Sequence, residues 1–433
     1  MELRFQDIFT NILGFQSVAQ FGAKQVHTQD DVHDINTDCS AFIEILPSEL
    51  HGGSIAKVKN NLAVIPEDWT SGSVISPWHN TRSADSAYIA CIAQLKQANF
   101  IAFHDDFLTW IGKDAKMEIV QTFEGVDADH VHEAPIFLPD TREFVFADTA
   151  VVGWLWGLDV DNRKVRKIKT NPPLHNVNGG TLHQSRLYVT TNGGTAPAIF
   201  SCSMPQKSRS SESETIDCTP VVNNYRLAHL NSPNDLIFTS AGNILFTDPT
   251  YGWAQSWPGV GLPELPTALY HFNMKTKALI ALDHDILQPN GLALSKDEKT
   301  LYVADSNSTS GKPIGVWEDS VRNVYAFDFD EGKMLLGNRR LVHVVERGWP
   351  DGLRVAYMKN DRELVLVASI GGVDVVDVSR GGTGTLLGKF NVGDDIIFNL
   401  EPVTGSAKEG ANKSEAIYLL TGKKAVYQVT ISS

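Results

Sequence analysis

A short strand pattern recurs six times along this 433-residue chain, and it constrains the fold more than any other feature. Each copy is an alternating aliphatic and aromatic run ending on a small or acidic residue. The copies are Phe144–Asp148, Leu187–Thr191, Ile244–Asp248, Leu301–Asp305, Val365–Ser369 and Ile417–Thr421. A second run follows each after a loop: Trp154–Asp159, Ala198–Cys202, Leu269–Asn273, Val324–Asp328, Val373–Asp377 and Val426–Thr430. Repeats of about 45–60 residues, each a few antiparallel strands, are the signature of propeller blades. A solenoid uses shorter repeats, and no helices alternate with the strands as a parallel α/β sheet requires. The expected fold is all-β, a six-bladed β-propeller over residues 100–433. Residues 1–99 carry no copy and read as an N-terminal extension that packs on the propeller and helps close it, with a short helix over 83–99. The run Phe100–Ile111 reads as a strand closing the ring against the C-terminal blade, which removes an exposed sheet edge.

Polar residues fall at one phase of the repeat, shortly upstream of each recurring strand: Glu133, Asn178, Asn234, Asn290 and Asp351. The first strand of a blade lines the central channel, so residues at this phase converge on the axis although far apart in sequence. Taken singly, Pro-Asn-Gly and Pro-Asp-Gly are turn sequences. Their shared phase points instead to a site. Two carboxylates with amide oxygens are hard ligands that suit calcium, whose shell takes 6–8 oxygens at about 2.3–2.6 Å. Competing motifs are absent: no Gly-x-Ser-x-Gly elbow, no P-loop or Gly-x-Gly-x-x-Gly, and no second His at zinc spacing after His132-Glu133. Asp328–Gly332 begins like an EF-hand loop but lacks the later ligands and reads as a hairpin turn.

Charge and composition narrow the partners. The net charge is −14, with 51 acidic against 37 basic residues and no Lys/Arg run, which excludes a nucleic-acid or anionic-membrane partner. No stretch of 18 apolar residues is present, so no membrane span is expected. Cys202 and Cys218 flank a Ser-rich loop and are either a disulfide staple or two buried thiols; Cys39 and Cys91 carry no pairing signal. The even cysteine count, with sequons at Asn307 and Asn412, leads to the expectation of a secreted protein whose leader is absent from this chain, with a cytoplasmic location as the alternative.

These residues resemble the gluconolactonase/regucalcin family of calcium-dependent propellers, closest to its fungal lactonohydrolase branch. The resemblance rests on His104–Leu108, His132-Glu133-Ala134-Pro135, Asn223–Tyr225, Asn231–Asp235, Phe246–Gly252, Pro289–Ser295 and Pro350–Arg354. It implies a catalytic calcium held by Glu133, Asn234, Asn290 and Asp351, directly or through water. It also implies Asp351 as general base or nucleophile, with Glu133 beside it, and Asn178 as a substrate contact. The chain departs from the family pattern at Trp349, at Ile370–Val373 and at Asn399–Pro402. Trp253, Trp257 and Trp349 fall near expected mouth loops; with His132 and Asn234, Trp253 and Trp349 are candidate substrate contacts. The expected activity is calcium-dependent opening of a lactone. The altered tryptophans motivate a bulky, apolar small-molecule substrate and an alternative, a fungal biosynthetic cyclase such as a hetero-Diels–Alderase on the same scaffold.

Overall fold

The computed structural model describes residues 39–46, 55–59, 68, 83–125, 130–206, 214–403 and 415–432. Within them the chain is all-β, built from successive antiparallel meanders with a few short helices. The recurring sequence pattern supplies the second strand of each meander: Glu143–Asp148, Arg186–Thr191, Ile244–Asp248, Thr300–Asp305, Glu363–Asp377 and Glu415–Gly422. Their aliphatic and aromatic side chains bury on both faces, as strands sandwiched between neighbouring sheets must.

The first two meanders, His132–Asn171 and Val177–Val222, join into one eight-stranded sheet through a parallel pairing of their outer strands. The next two, Leu236–Asp283 and Pro289–Val344, stand as separate four-stranded sheets. The last nine-stranded sheet contains two long, bent strands, Glu363–Asp377 and Thr385–Pro402. Their register breaks between Ile370 and Gly372. Gly372 sits at φ +138°, and a Cβ there would lie 1.8 Å from the Phe390 carbonyl oxygen, so only glycine permits this bend.

Ring closure differs from the sequence expectation. Only Phe100–Ala102 of the run 100–111 is a strand, and it pairs with Gly388–Phe390 rather than with the C-terminal strands. Asp105–Ile111 is a helix: His104 Nδ1 accepts from the Asp106 amide at 3.1 Å, two aspartates occupy its first turn, and Phe107, Trp110 and Ile111 bury at helical spacing. The strand that completes the C-terminal sheet is Lys116–Thr122, paired with Ala425–Thr430. The helix Ser86–Gln94 is capped by Asp85, whose Oδ1 accepts from the amides of Ala87 and Tyr88. It is tied to Cys39 by the Cys39–Cys91 disulfide, a pairing the sequence did not signal. Cys202 and Cys218 are also bonded, across directly paired residues of adjacent strands. Asp328–Gly332 runs into a tight turn between two strands. Residues 1–38 and Asn412 lie outside the described residues.

The inner strands meet backbone against backbone. A Cβ on Gly179 would lie 2.3 Å from the Asn234 carbonyl oxygen, and one on Gly291 would lie 2.2 Å from that of Asp351. Neither glycine has a positive φ. The glycines after Asn178 and Asn290 therefore serve close approach inside strands Val177–His183 and Pro289–Leu294, not turns. Hydroxyls complete the latch: Thr190 Oγ1 donates to the Asn234 carbonyl at 2.6 Å, and Thr247 Oγ1 to that of Asn290 at 2.8 Å. Gly291→Ala is expected to lower stability by about 1–3 kcal/mol through overpacking. Gly261→Ala, where nothing lies within 4 Å, should stay within about 0.5 kcal/mol. Thermal denaturation of the two side by side checks this, and equal melting temperatures would contradict it.

Candidate functional site

The acidic ends of the recurring strands act as clamps on the loops that present the axial residues. Asp248 accepts from the amides of Asn231 and Ser232 at 2.9 and 2.7 Å, which fixes the approach to Asn234. Asp305 does the same for Leu287 and Gln288 ahead of Asn290. The Asp351 turn is held by its own amide, donating to the Ala368 carbonyl at 2.8 Å, and by Ser308 Oγ donating to the Gly348 carbonyl at 2.7 Å.

Glu133, Asn178, Asn234, Asn290, Trp349 and Asp351 line one cavity of about 600 Å³ of empty space, its open mouth included. The five axial polar residues are all buried. Trp349 Nε1 donates to Asp351 Oδ2 at 2.8 Å, so the indole stands beside the carboxylate. Asn399 Nδ2 donates to Glu133 Oε2 at 3.2 Å. Asn178 Oδ1 accepts from Asn192 Nδ2 at 2.8 Å, which leaves the Asn178 amide nitrogen as its available donor. Asn234 Oδ1 is buried and has no hydrogen-bond partner.

Two candidates do not reach the cavity. His132 is fully buried behind the strand, stacked on Phe123 at 3.6 Å with Nδ1 bonded to the Gly422 carbonyl. It precedes Glu133 by one residue, and strand alternation turns it to the other face. Trp253 packs beside Tyr251, Ala254 and Ile314, with Lys312 Nζ 5.0 Å from its ring centroid, and borders a separate surface depression. Trp257 does not line the cavity either. The apolar wall is instead Trp349, Ile396 and Phe398, with Val131 and Ile314. Sequence reading missed Asn399 and Tyr251, although Tyr251 lies inside the Phe246–Gly252 motif.

Burial pushes both carboxyls towards their neutral forms. Asp351 is raised to about 7, chiefly by desolvation and further by the Asp235 charge, against the hydrogen bond from Trp349. Glu133 is raised well above the ordinary carboxylate range by desolvation, then by Asp351 and Asp235. Beneath them, Arg354 pairs with Glu401 at 3.0 Å and faces Asp235. Glu401 is one of the departures from the family pattern, and its partner belongs to the Pro350–Arg354 motif. Two close carboxylates and an amide oxygen without a donor fit a hard divalent cation.

A sequence profile described as the SMP-30/Gluconolactonase/LRE-like region matches residues 131–397. The chain belongs to this family. Two lactonohydrolases of Aspergillus oryzae are similar: one is 28% identical over 298 residues, 64% of this chain and 66% of that protein. The other is 24% identical over 390 residues, 72% of this chain and 80% of that one. A gluconolactonase of Zymomonas mobilis is 33% identical over 145 residues, 31% of this chain and 36% of its own. Among solved structures, a gluconolactonase from Xanthomonas campestris superposes with a TM-score of 0.56 at 24% identity, covering 76% of this chain and 93% of its own. That likeness is one of fold.

The raised carboxyls set a sign for this family member's pH response. A native state that holds protons the unfolded chain has released loses stability as pH rises. In chelator-treated protein the melting temperature is expected to fall from about pH 4.5 to about pH 7, the window between the ordinary carboxylate range and Asp351. Asp351→Asn should reduce that fall without abolishing it, because burial raises Asp248 and Glu346 to about 7 as well. A parent protein that melts higher at pH 7 than at pH 4.5 would contradict it.

Proposed function

We propose that this chain is a calcium-dependent lactonase whose site is the mouth of a six-bladed propeller, residues 100–433, with residues 1–99 as an extension packed on it. The observation that carries the reading is the buried Glu133–Asp351 pair sharing one cavity with the unpartnered Asn234 Oδ1. Relatives named lactonohydrolase and gluconolactonase support the reaction class. Glu133, Asn234, Asn290 and Asp351 would hold the calcium, which supplies Lewis-acid polarisation of the substrate carbonyl when bound.

The chain's own groups account for the rest. Trp349 orients Asp351 by occupying Oδ2, so Oδ1 is the oxygen left to take a proton from the attacking water. As the new C–O bond forms, the ring C–O bond breaks, and the proton returns to the departing ring oxygen to give a hydroxy acid. The Asn178 amide donates to the substrate, and the Trp349, Ile396 and Phe398 wall takes its apolar part while excluding water. The cyclase alternative is not favoured: the named relatives are hydrolases, and of the three mouth tryptophans only Trp349 lines the cavity. Two disulfides belong with a secreted or extracellular protein.

Calcium should raise the melting temperature of the parent, because a ligand of the native state stabilises it by mass action. Glu133→Gln should melt higher than the parent in chelator, as one of two crowded carboxylates is gone, and should lose most of the calcium-induced rise together with lactone opening in a pH-stat. A variant that responds to calcium as the parent does would remove Glu133 from the ligand set.

A further inference from the structure

A second orphaned polar atom faces the same cavity. Tyr251 lines it, is 5% exposed, and its hydroxyl has no hydrogen-bond partner. Ser306 and Asn290 are polar neighbours, yet neither makes a hydrogen bond of good geometry with it. A buried hydroxyl left unbonded is costly, and such a group in a native protein calls for an explanation.

The residue is held in place from both sides. It begins the short helix Tyr251–Ala254, and its ring packs on Ala254 and Ile314. The Thr250 amide donates to Gln288 Oε1 at 3.1 Å, and the Gly252 amide donates to Ser232 Oγ at 2.7 Å. A Cβ on Gly252 would lie 2.1 Å from the Asn192 carbonyl oxygen, so the helix is pressed against the backbone just after strand Arg186–Thr191 of the preceding meander. The hydroxyl is thus a positioned donor in the cavity beside Asp351, the arrangement that stabilises developing negative charge at little reorganisation cost. Asn234 Oδ1, the other orphan, is an acceptor and suits a cation. Tyr251 brings an O–H and suits an oxygen of the substrate.

We propose that the Tyr251 hydroxyl is a catalytic hydrogen-bond donor to the lactone oxygen that gains negative charge as the ring opens. The inference rests on the lactonase reading. It assigns the hydroxyl no proton transfer: the water proton goes by way of Asp351, and Tyr251 keeps its own.

Tyr251→Phe tests this because it deletes the oxygen and keeps the ring. Turnover would be measured on the best substrate from a panel of γ- and δ-lactones, alongside calcium affinity by calorimetry and thermal melting without ligand. The expected result is a fall in kcat of about 10²–10³-fold, the cost of removing one such donor. KM and calcium affinity should stay close to the parent values. The melting temperature should hold or rise, since no protein hydrogen bond is lost. A kcat within about threefold of the parent would overturn the proposal, as would a melting temperature lowered by several degrees, which would give the hydroxyl a partner inside the protein. A parent enzyme that opens no lactone in the panel would overturn the lactonase reading and this inference with it.

Discussion

The close approach of neighbouring inner strands around one axis is the constraint on which the rest of this structure depends. Gly179 lies against the Asn234 carbonyl and Gly291 against that of Asp351, at separations that leave no room for a side chain. Each contact sets the position of the next axial residue, and the hydroxyls of Thr190 and Thr247 fix the carbonyls in turn. The polar residue before each glycine is thereby carried to the axis. Fold and site are consequently one object: the packing that brings the sheets together also assembles the carboxylates and amides.

That assembly has an electrostatic cost. Glu133, Asp235 and Asp351 are drawn together in the interior with the half-buried Glu401 beside them, and desolvation raises the proton affinity of each. Arg354 offsets part of the charge through its pair with Glu401 and its field on Asp235. The remainder calls for protons or for a cation, because unpaired buried carboxylates are strongly disfavoured. The proposed site for a hard cation rests on this imbalance more directly than on any single motif. The same logic separates the two kinds of aspartate in the repeat. Asp248 and Asp305 also sit in the interior, where burial raises them too, but each accepts from two backbone amides and serves as a loop clamp.

Much of this was legible in the sequence, because the information was periodic. Strands recur, so the six copies marked the second strand of each meander, and the shared phase of Glu133, Asn178, Asn234, Asn290 and Asp351 placed all five in one cavity. What was not periodic was read less well. The stretch 100–111 reads as one strand in the sequence, whereas the strand stops at Ala102 and His104 with the two aspartates caps a helix after it. Cys39 and Cys91 lie outside the repeat and 52 residues apart, with nothing local to pair them. Trp253 was placed by its loop alone, and loop position does not fix which way an indole packs. His132 adjoins Glu133 in sequence, and adjacent residues on a strand face opposite ways. Tyr251 and Asn399 both lie in segments that stand out in the sequence, the Phe246–Gly252 motif and the Asn399–Pro402 departure, but neither gains a role until the partners around it are known.

The most direct measurement is the anomalous difference map of a crystal grown in calcium. The proposed site requires a single strong peak within about 2.3–2.6 Å of oxygens from Glu133, Asn290 and Asp351, with Asn234 in the shell directly or through one water. A map with no peak in this cavity at saturating calcium, or with its only peak elsewhere on the protein, would contradict the metal site and the lactonase chemistry built on it.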